Sequence, residues 1–367
     1  MSYNPFDRGS FPVGVRTLTM RDDARGSREL TVEVWYPAAA SFRGRDLDEA
    51  GGDAYTIAPG MPEMRQHAVR DAGAAAGRFA LVVHCHGANG DRRDKTFLCT
   101  HLASHGYVVV SPDFPGDTIA DMVRDQQAGT GRRSTMSIDE LANYRPADAA
   151  FVIEQMLDGV EPELAGRIDA GQVGACGHSY GGWTSLALNS VSRRPRATFA
   201  MAPLWGSRSP IPQLRRVGPR LRLDDWGRPV PSFLLAAELD NCVMLDDLRE
   251  LAVLLPKPSQ FAVMPRAGHM HFVEHAEVAH ELLRSTWSSP NFPDPENDGP
   301  ALARAARPFN ELMPEAHAQE IVRALCLAHM DAHLKDSAVA RAFLAGDLGA
   351  TFSARGIAIE AATPQLV

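Results

Sequence analysis

The chain has 367 residues, 45% of them hydrophobic and 22% charged, and its 37 basic against 45 acidic side chains give a formal net charge of −8. That apolar content excludes a disordered chain, and 30 Gly and 26 Pro without a period exclude collagen-like or low-complexity architecture. The acidic balance argues against nucleic acid or an anionic membrane surface as the main partner, because phosphate recognition needs a basic face.

The N-terminal run MSYNPFDRGSFPVG lacks the basic start and apolar stretch of a secretory signal. Strands are expected at 15–21 and 29–36. In the second, Leu30, Val32, Val34 and Tyr36 alternate with Thr31, Glu33 and Trp35, the period of a sheet. Residues 39–77, rich in Gly, Ala and Asp with no strong period, read as an irregular excursion. The texture then changes. The apolar run FALVVHC at 79–85 ends in His86-Gly87, and YVVV at 107–110 ends in Ser111-Pro112-Asp113, with a helix-sized segment (95–105) between them. Such runs mark parallel strands buried on both faces.

A helix is expected at 146–158, where Val152, Ile153, Met156 and Leu157 share a face and Pro146 suits the first turn. Further strands are expected at 172–176, 197–203, 233–237 and 260–265, a helix at 183–190, and a helical C-terminal part at 301–347. No repeat or linker divides the chain, so 1–367 reads as a single α/β domain, mostly parallel in its sheet with helices on both faces. Two insertions interrupt the alternation. Residues 204–231 leave the carboxyl end of a strand, where open parallel sheets bind ligands, and read as a small cap or as a surface elaboration. Residues 285–300 read as a turn-rich loop. No window approaches the roughly 18 apolar residues of a membrane span.

Gly177-His178-Ser179-Tyr180-Gly181-Gly182 falls between a strand and a helix and fits the G-x-S-x-G nucleophile elbow. Its spacing is steric: the serine sits at the tip of a strained turn, and side chains two residues to either side would strike neighbouring backbone. A serine needs a base, and the base an orienting acid. In a sheet of this kind the order is Ser, then Asp or Glu, then His. Asp240 lies just past the strand 233–237, with Glu238 as the competing carboxylate. His269 follows a glycine after the strand 260–265, with His271 as its competitor, while His275 and His280 read as residues of the next helix. His84 and His86 with this cluster invite a metal reading, but no HExxH or Cys/His spacing accompanies them, so no metal is expected. The five cysteines, Cys85, Cys99, Cys176, Cys242 and Cys326, form no CxxC pair. They imply neither a disulfide framework nor a redox motif, and reduced thiols with a cytoplasmic location are expected.

An oxyanion hole needs the backbone N–H after the nucleophile, here Tyr180, and one from the loop after an earlier strand. His86-Gly87-Ala88-Asn89-Gly90 supplies that loop, with Ala88 as donor and His86 as a brace. Trp183, Trp205 and Trp226 either line a substrate pocket or pack in the core.

Taken together, Val13-Gly14-Val15-Arg16, Val34-Trp35-Tyr36-Pro37, His86-Gly87, Arg145-Pro146-Ala147-Asp148, the elbow, Asp240 and Gly268-His269-Met270-His271-Phe272 resemble the α/β-hydrolase superfamily. Within it, the chain is similar to dienelactone hydrolase-like and platelet-activating-factor acetylhydrolase-like esterases, a branch near the polyester hydrolases, over most of residues 10–345. The resemblance implies an α/β-hydrolase fold and cofactor-free hydrolysis of a small-molecule ester through an acyl-enzyme. It gives Ser179 as nucleophile, Asp240 as acid, His269 as base, and Ala88 and Tyr180 as oxyanion donors. Dienelactone hydrolases proper carry a cysteine nucleophile, and the serine here favours the esterase side. An amidase, thioesterase or acyltransferase on the same triad, or a non-catalytic binding member of the fold, are the alternatives.

Overall fold

The computed structural model describes residues 3–48, 52–57, 61–127, 136–288 and 299–361. Its chain begins with two long strands, β1 (Val13–Asp22) and β2 (Arg28–Pro37), paired antiparallel. Short strands β3 (Asp53–Tyr55), β4 (Met64–Gln66) and β5 (Val69–Arg70) follow, so the expected irregular excursion contains a small two-stranded sheet and an edge strand. These pieces are too short to show a period. They are held by tertiary contacts, with Trp35 Nε1 donating to Gln66 Oε1 at 2.6 Å and the Tyr36 hydroxyl to the Ala72 carbonyl at 2.6 Å.

The alternating part follows the expected order: β6 (Phe79–Cys85), α1 (Thr96–Ser104), β7 (Tyr107–Pro112), α2 (Ile119–Gln127), α3 (Ile138–Leu157), β8 (Ile168–His178), α4 (Tyr180–Val191) and β9 (Pro195–Met201). After α5 (Pro212–Val217) come β10 (Ser232–Ala237), α6 (Leu245–Leu254), β11 (Ser259–Met264) and α7 (Ala276–Ser288). The chain closes with α8 (Gly299–Ala305), α9 (Glu315–Leu334), α10 (Ala338–Ala345), α11 (Leu348–Ser353) and β12 (Glu360–Ala361). Ten strands form one sheet in the order β12-β11-β10-β9-β8-β6-β7-β2-β1-β5. Neighbours from β7 through β11 run parallel. The contiguous apolar runs are explained by burial on both faces. Ala80 and Val82 of β6 pack in one cluster with residues of α1 and α9, while Leu81, Val83 and Cys85 pack in another with residues of α3. Fully burying one such Val or Leu is worth about 1.5–3 kcal/mol.

Three local expectations are corrected. Helix α3 begins at Ile138, eight residues before Pro146, because Ser137 and Glu140 form a capping box: Ser137 Oγ accepts from Glu140 N at 3.2 Å and Glu140 Oε2 accepts from Ser137 N at 2.8 Å. Pro146 therefore lies inside the helix, which packs along α4 and α5. Strand β9 stops at Met201, since Ala202 turns with φ 38°. His275, expected in a helix, precedes α7 with φ 53°.

The insertion 204–231 folds down onto α3 and α4. Val217 and Trp226 are buried, Arg220 reaches Asp139 and Asn143 of α3 at 2.6 and 2.8 Å, and Ser190 of α4 donates to the Arg222 carbonyl at 2.9 Å. Of the expected loop 285–300, Ser285 to Ser288 are the last turn of α7 and Gly299 opens α8, while 289–298 lie outside the described residues. Strand order reverses at β6, whose neighbours are β7 and β8. The carboxyl ends of β6 and β8 thus face a crevice, the place where open α/β sheets bind ligands.

Candidate active site

The turn from β8 to α4 enters that crevice. Ser179 stands at its tip with φ 58° and ψ −120°, a conformation that L-residues adopt only under constraint. Its N–H is tied to the Met201 carbonyl at 2.9 Å, and its carbonyl accepts from Trp183 N at 3.0 Å and Leu204 N at 3.2 Å. The glycine spacing has the expected steric cause. A Cβ on Gly177 would meet the Gly181 carbonyl oxygen, and one on Gly181 would meet the Cys85 carbonyl oxygen, in both cases well inside contact distance.

Three of the sequence candidates come together here. Ser179 Oγ lies 2.9 Å from His269 Nε2, and His269 Nδ1 lies 2.7 Å from Asp240 Oδ2. The other oxygen of Asp240 accepts the N–H groups of Cys242 at 2.8 Å and Val243 at 2.9 Å, so the carboxylate is fully engaged. This pattern assigns the Nδ1–H tautomer to His269, with Nε2 free to accept from the serine. All three residues are buried, and Ser179 keeps 7% of its surface exposed. The two competitors point elsewhere. His271 Nδ1 accepts from Gly268 N at 3.0 Å and its Nε2 donates to the Met313 carbonyl at 2.9 Å, and burial pushes its pKa down to about 4. Glu238 is exposed and accepts from Arg266 N at 2.8 Å.

Asp240, Cys242 and His269 also offer ligand atoms within 4.8 Å of one another. The Cys242 thiol is held well above its ordinary pKa by burial and by Asp240, so it stays protonated and a poor ligand. Asp240 and His269 already engage each other at 2.7 Å.

The loop after β6 lies against the elbow, since a Cβ on Gly87 would sit 3.6 Å from Ser179 Cβ. His86 fixes this loop through a single tautomer. Its Nε2 accepts from Phe114 N at 3.1 Å, so its Nδ1 carries the proton and donates to the Gly87 carbonyl at 2.7 Å. A trans peptide holds C=O and N–H antiparallel. Pinning the Gly87 carbonyl therefore sets the direction of the Ala88 N–H. Among the described residues, no protein acceptor takes the N–H of Ala88 or of Tyr180. His86 stays neutral, its pKa pushed down to about 3 by burial and by Arg145.

Of the tryptophans, Trp183 and Trp226 are buried in the main core cluster, Trp183 beside the Tyr180 ring at 5.6 Å, whereas Trp205 is half-buried next to Leu204. Core packing thus accounts for Trp183 and Trp226. His178, which the sequence reading passed over, packs its ring against His269 at 4.6 Å and Phe272 at 5.0 Å. Burial and then His269 hold its pKa well below the ordinary value, so it brings no charge to the site. The five cysteines are free and buried, and among the described residues no helix is long and apolar enough to cross a membrane.

Comparison with known proteins agrees with this architecture. A family model described as "Alpha/beta hydrolase family" matches residues 80–237, from β6 through the elbow to the end of β10. The chain is similar to Cutinase 2 of Thermobifida cellulosilytica, 24% identical over 195 residues, which are 53% of this chain and 61% of that protein. It thus spans about three-fifths of the length of that relative. Among solved structures it is similar to a ferulic acid esterase from Streptomyces cinnamoneus, with TM-score 0.58 and 24% identity over 89% of this chain and 91% of that one. The fold is the α/β-hydrolase fold, a large mostly parallel sheet flanked by helices.

Proposed function

We propose that this α/β-hydrolase-fold protein is a serine carboxylic-ester hydrolase working through an acyl-enzyme. The observation that carries the reading is the hydrogen-bonded chain from Ser179 Oγ through His269 to Asp240 at the tip of a strained elbow. His269 takes the Ser179 proton as Oγ attacks the ester carbonyl, and Asp240 holds the imidazole and stabilises the imidazolium. The oxyanion forms between the N–H groups of Ala88 and Tyr180, and each such donor is typically worth roughly 3–4 kcal/mol of transition-state stabilisation. His269 then gives its proton to the leaving alcohol, and water repeats the sequence to release the acid.

The likeness to a cutinase and to a ferulic acid esterase supports an ester rather than another acyl substrate. The Val34-Trp35-Tyr36-Pro37 strand and the serine nucleophile support a place near the dienelactone hydrolase-like and platelet-activating-factor acetylhydrolase-like esterases. Trp205, half-buried and next in sequence to Leu204, whose N–H reaches the Ser179 carbonyl at 3.2 Å, is the candidate substrate-contacting tryptophan.

Turnover of p-nitrophenyl esters from acetyl to dodecanoyl tests the reading. The wild type is expected to hydrolyse them. Ser179→Ala and His269→Ala are expected to lose about 10³-fold or more in kcat, while His271→Ala keeps kcat per folded molecule within fivefold. Undiminished turnover in Ser179→Ala, or loss in His271→Ala equal to that in His269→Ala, contradicts the assignment. A wild type that turns over amides or thioesters and no ester moves the same triad to another acyl substrate.

A further inference from the structure

We propose that Arg145 is a positioning residue for the oxyanion hole, one buried guanidinium that fixes both backbone donors at once; the inference rests on the reading of Ser179 as nucleophile. Arg145 lies in α3 with no exposed surface. Its Nη1 donates to Asp117 Oδ2 at 2.5 Å, its Nη2 to the His86 carbonyl, and its Nε to Thr184 Oγ1 at 3.1 Å. The guanidinium lies over the Phe114 ring at 4.0 Å and the Tyr180 ring at 4.6 Å.

Each partner belongs to one side of the hole. The His86 carbonyl opens the loop that carries Ala88. Asp117 accepts the N–H of Asn89 at 3.0 Å just beyond it, so the loop is gripped on both sides of Ala88. Thr184 passes the contact to the other donor's residue, because its hydroxyl donates to the Tyr180 carbonyl at 2.7 Å. The Tyr180 ring under the guanidinium is anchored at its far end, its hydroxyl donating to the Ile138 carbonyl at 2.9 Å.

A purely structural ion pair needs only Asp117. Taking a guanidinium fully out of water is costly even when paired, and Asp117 alone balances its charge. Its other two hydrogen bonds go to the His86 carbonyl and Thr184, the two groups that connect to Ala88 and Tyr180. The planar fork of arginine reaches all three partners in one geometry, which the rotatable point charge of lysine does not reproduce. Arg145 acts through the backbone and does not touch the substrate.

The test compares wild type with Arg145→Lys and Arg145→Gln on p-nitrophenyl acetate, with kcat expressed per Ser179 site titrated by a fluorophosphonate. A trifluoromethyl ketone, which forms a tetrahedral adduct on the serine, reports on the hole directly. In Arg145→Lys, kcat per titrated site is expected to fall fivefold or more with KM within threefold, and the inhibition constant of the ketone to rise by a similar factor. A merely structural role would lower the unfolding temperature and the number of titratable sites but leave kcat per site unchanged. Arg145→Gln is expected to fall further, and where it does not fold Arg145→Lys alone decides. A fall of less than fivefold per site, or a change confined to KM, overturns the inference while leaving the triad standing. A wild type that neither hydrolyses the ester nor takes the fluorophosphonate removes the Ser179 reading and this inference with it.

Discussion

Ser179 holds a positive φ that costs on the order of 1–3 kcal/mol for a residue with a side chain. The turn keeps it there by tying its N–H to Met201 and its carbonyl to Trp183 and Leu204, and by leaving no room for a Cβ at Gly177 or Gly181. Gly181→Ala should therefore be among the most damaging single substitutions in the chain. A Cβ there collides with the Cys85 carbonyl at the carboxyl end of β6, and neither backbone can yield without moving β6 or α4. A loss of about 3 kcal/mol or more is expected, read as a lowered urea midpoint or failure to accumulate folded protein; a midpoint within experimental error of wild type would contradict the steric account. This part of the site was legible in the sequence because strand, turn and glycine spacing are contiguous. The choice between His269 and His271 was not legible. One residue, Met270, separates them, and only the fold shows that the nitrogens of His271 are spent on Gly268 and Met313.

Among the elements, the central strands were legible because burial on both faces forces unbroken apolar runs, and β6 was read with its observed limits. Pro146 suits a helix start, yet α3 begins eight residues before it. The sequence carried the competing signal, Ser137 followed three residues later by Glu140, and that capping box wins. Ser137→Ala should cost about 1 kcal/mol of stability, seen as a small drop in the thermal midpoint with kcat unchanged; no drop at all would mean that the box is ornamental and α3 is held by packing alone. The short strands β3 to β5 were not legible, since Gln66 and Ala72 are fixed by the side chains of Trp35 and Tyr36 from another part of the chain. Arg145 was visible as part of a motif, but its partners Asp117, Thr184 and His86 stand 28, 39 and 59 residues away in sequence. Only tertiary structure shows what it joins.

For the whole molecule, the buried histidines govern stability in acid. Burial pushes His86 and His329 down to about 3 and His271 to about 4, so in the folded protein they refuse protons that the unfolded chain accepts near pH 6.5. Their contribution is fully present above pH 6.5 and is lost as the pH falls toward 4, at about 1.4 kcal/mol per pH unit for each histidine. Asp91 acts in the opposite sense. Burial raises it from 3.8 to about 7, so the stability tied to its protonated form is fully present below pH 3.8 and is lost as the pH rises from there to about 7. His84, His101 and His178 are pushed down as well, so the lowered histidines outnumber the raised carboxyls Asp91, Asp113, Asp117 and Glu274, and stability should fall steeply between pH 6.5 and 4. His329 packs against the stacked rings of Phe199 and Phe233 in the core, with His333 at 4.7 Å, and its Nε2 donates to the Pro231 carbonyl at 3.3 Å. His329→Gln removes one of these contributions, and its acid-unfolding midpoint should move to lower pH relative to its own stability at pH 8. An unchanged midpoint on that scale would assign acid unfolding to other groups.

Mapping the covalent adduct shows whether Ser179 is the acyl-accepting nucleophile. The protein is treated with an organophosphonate ester, its intact mass is measured, and the modified peptide is sequenced by mass spectrometry. One adduct per chain is expected, on Ser179, absent from Ser179→Ala and formed far more slowly in His269→Ala. An adduct on another residue, or unmodified protein that still hydrolyses esters after treatment, would contradict it.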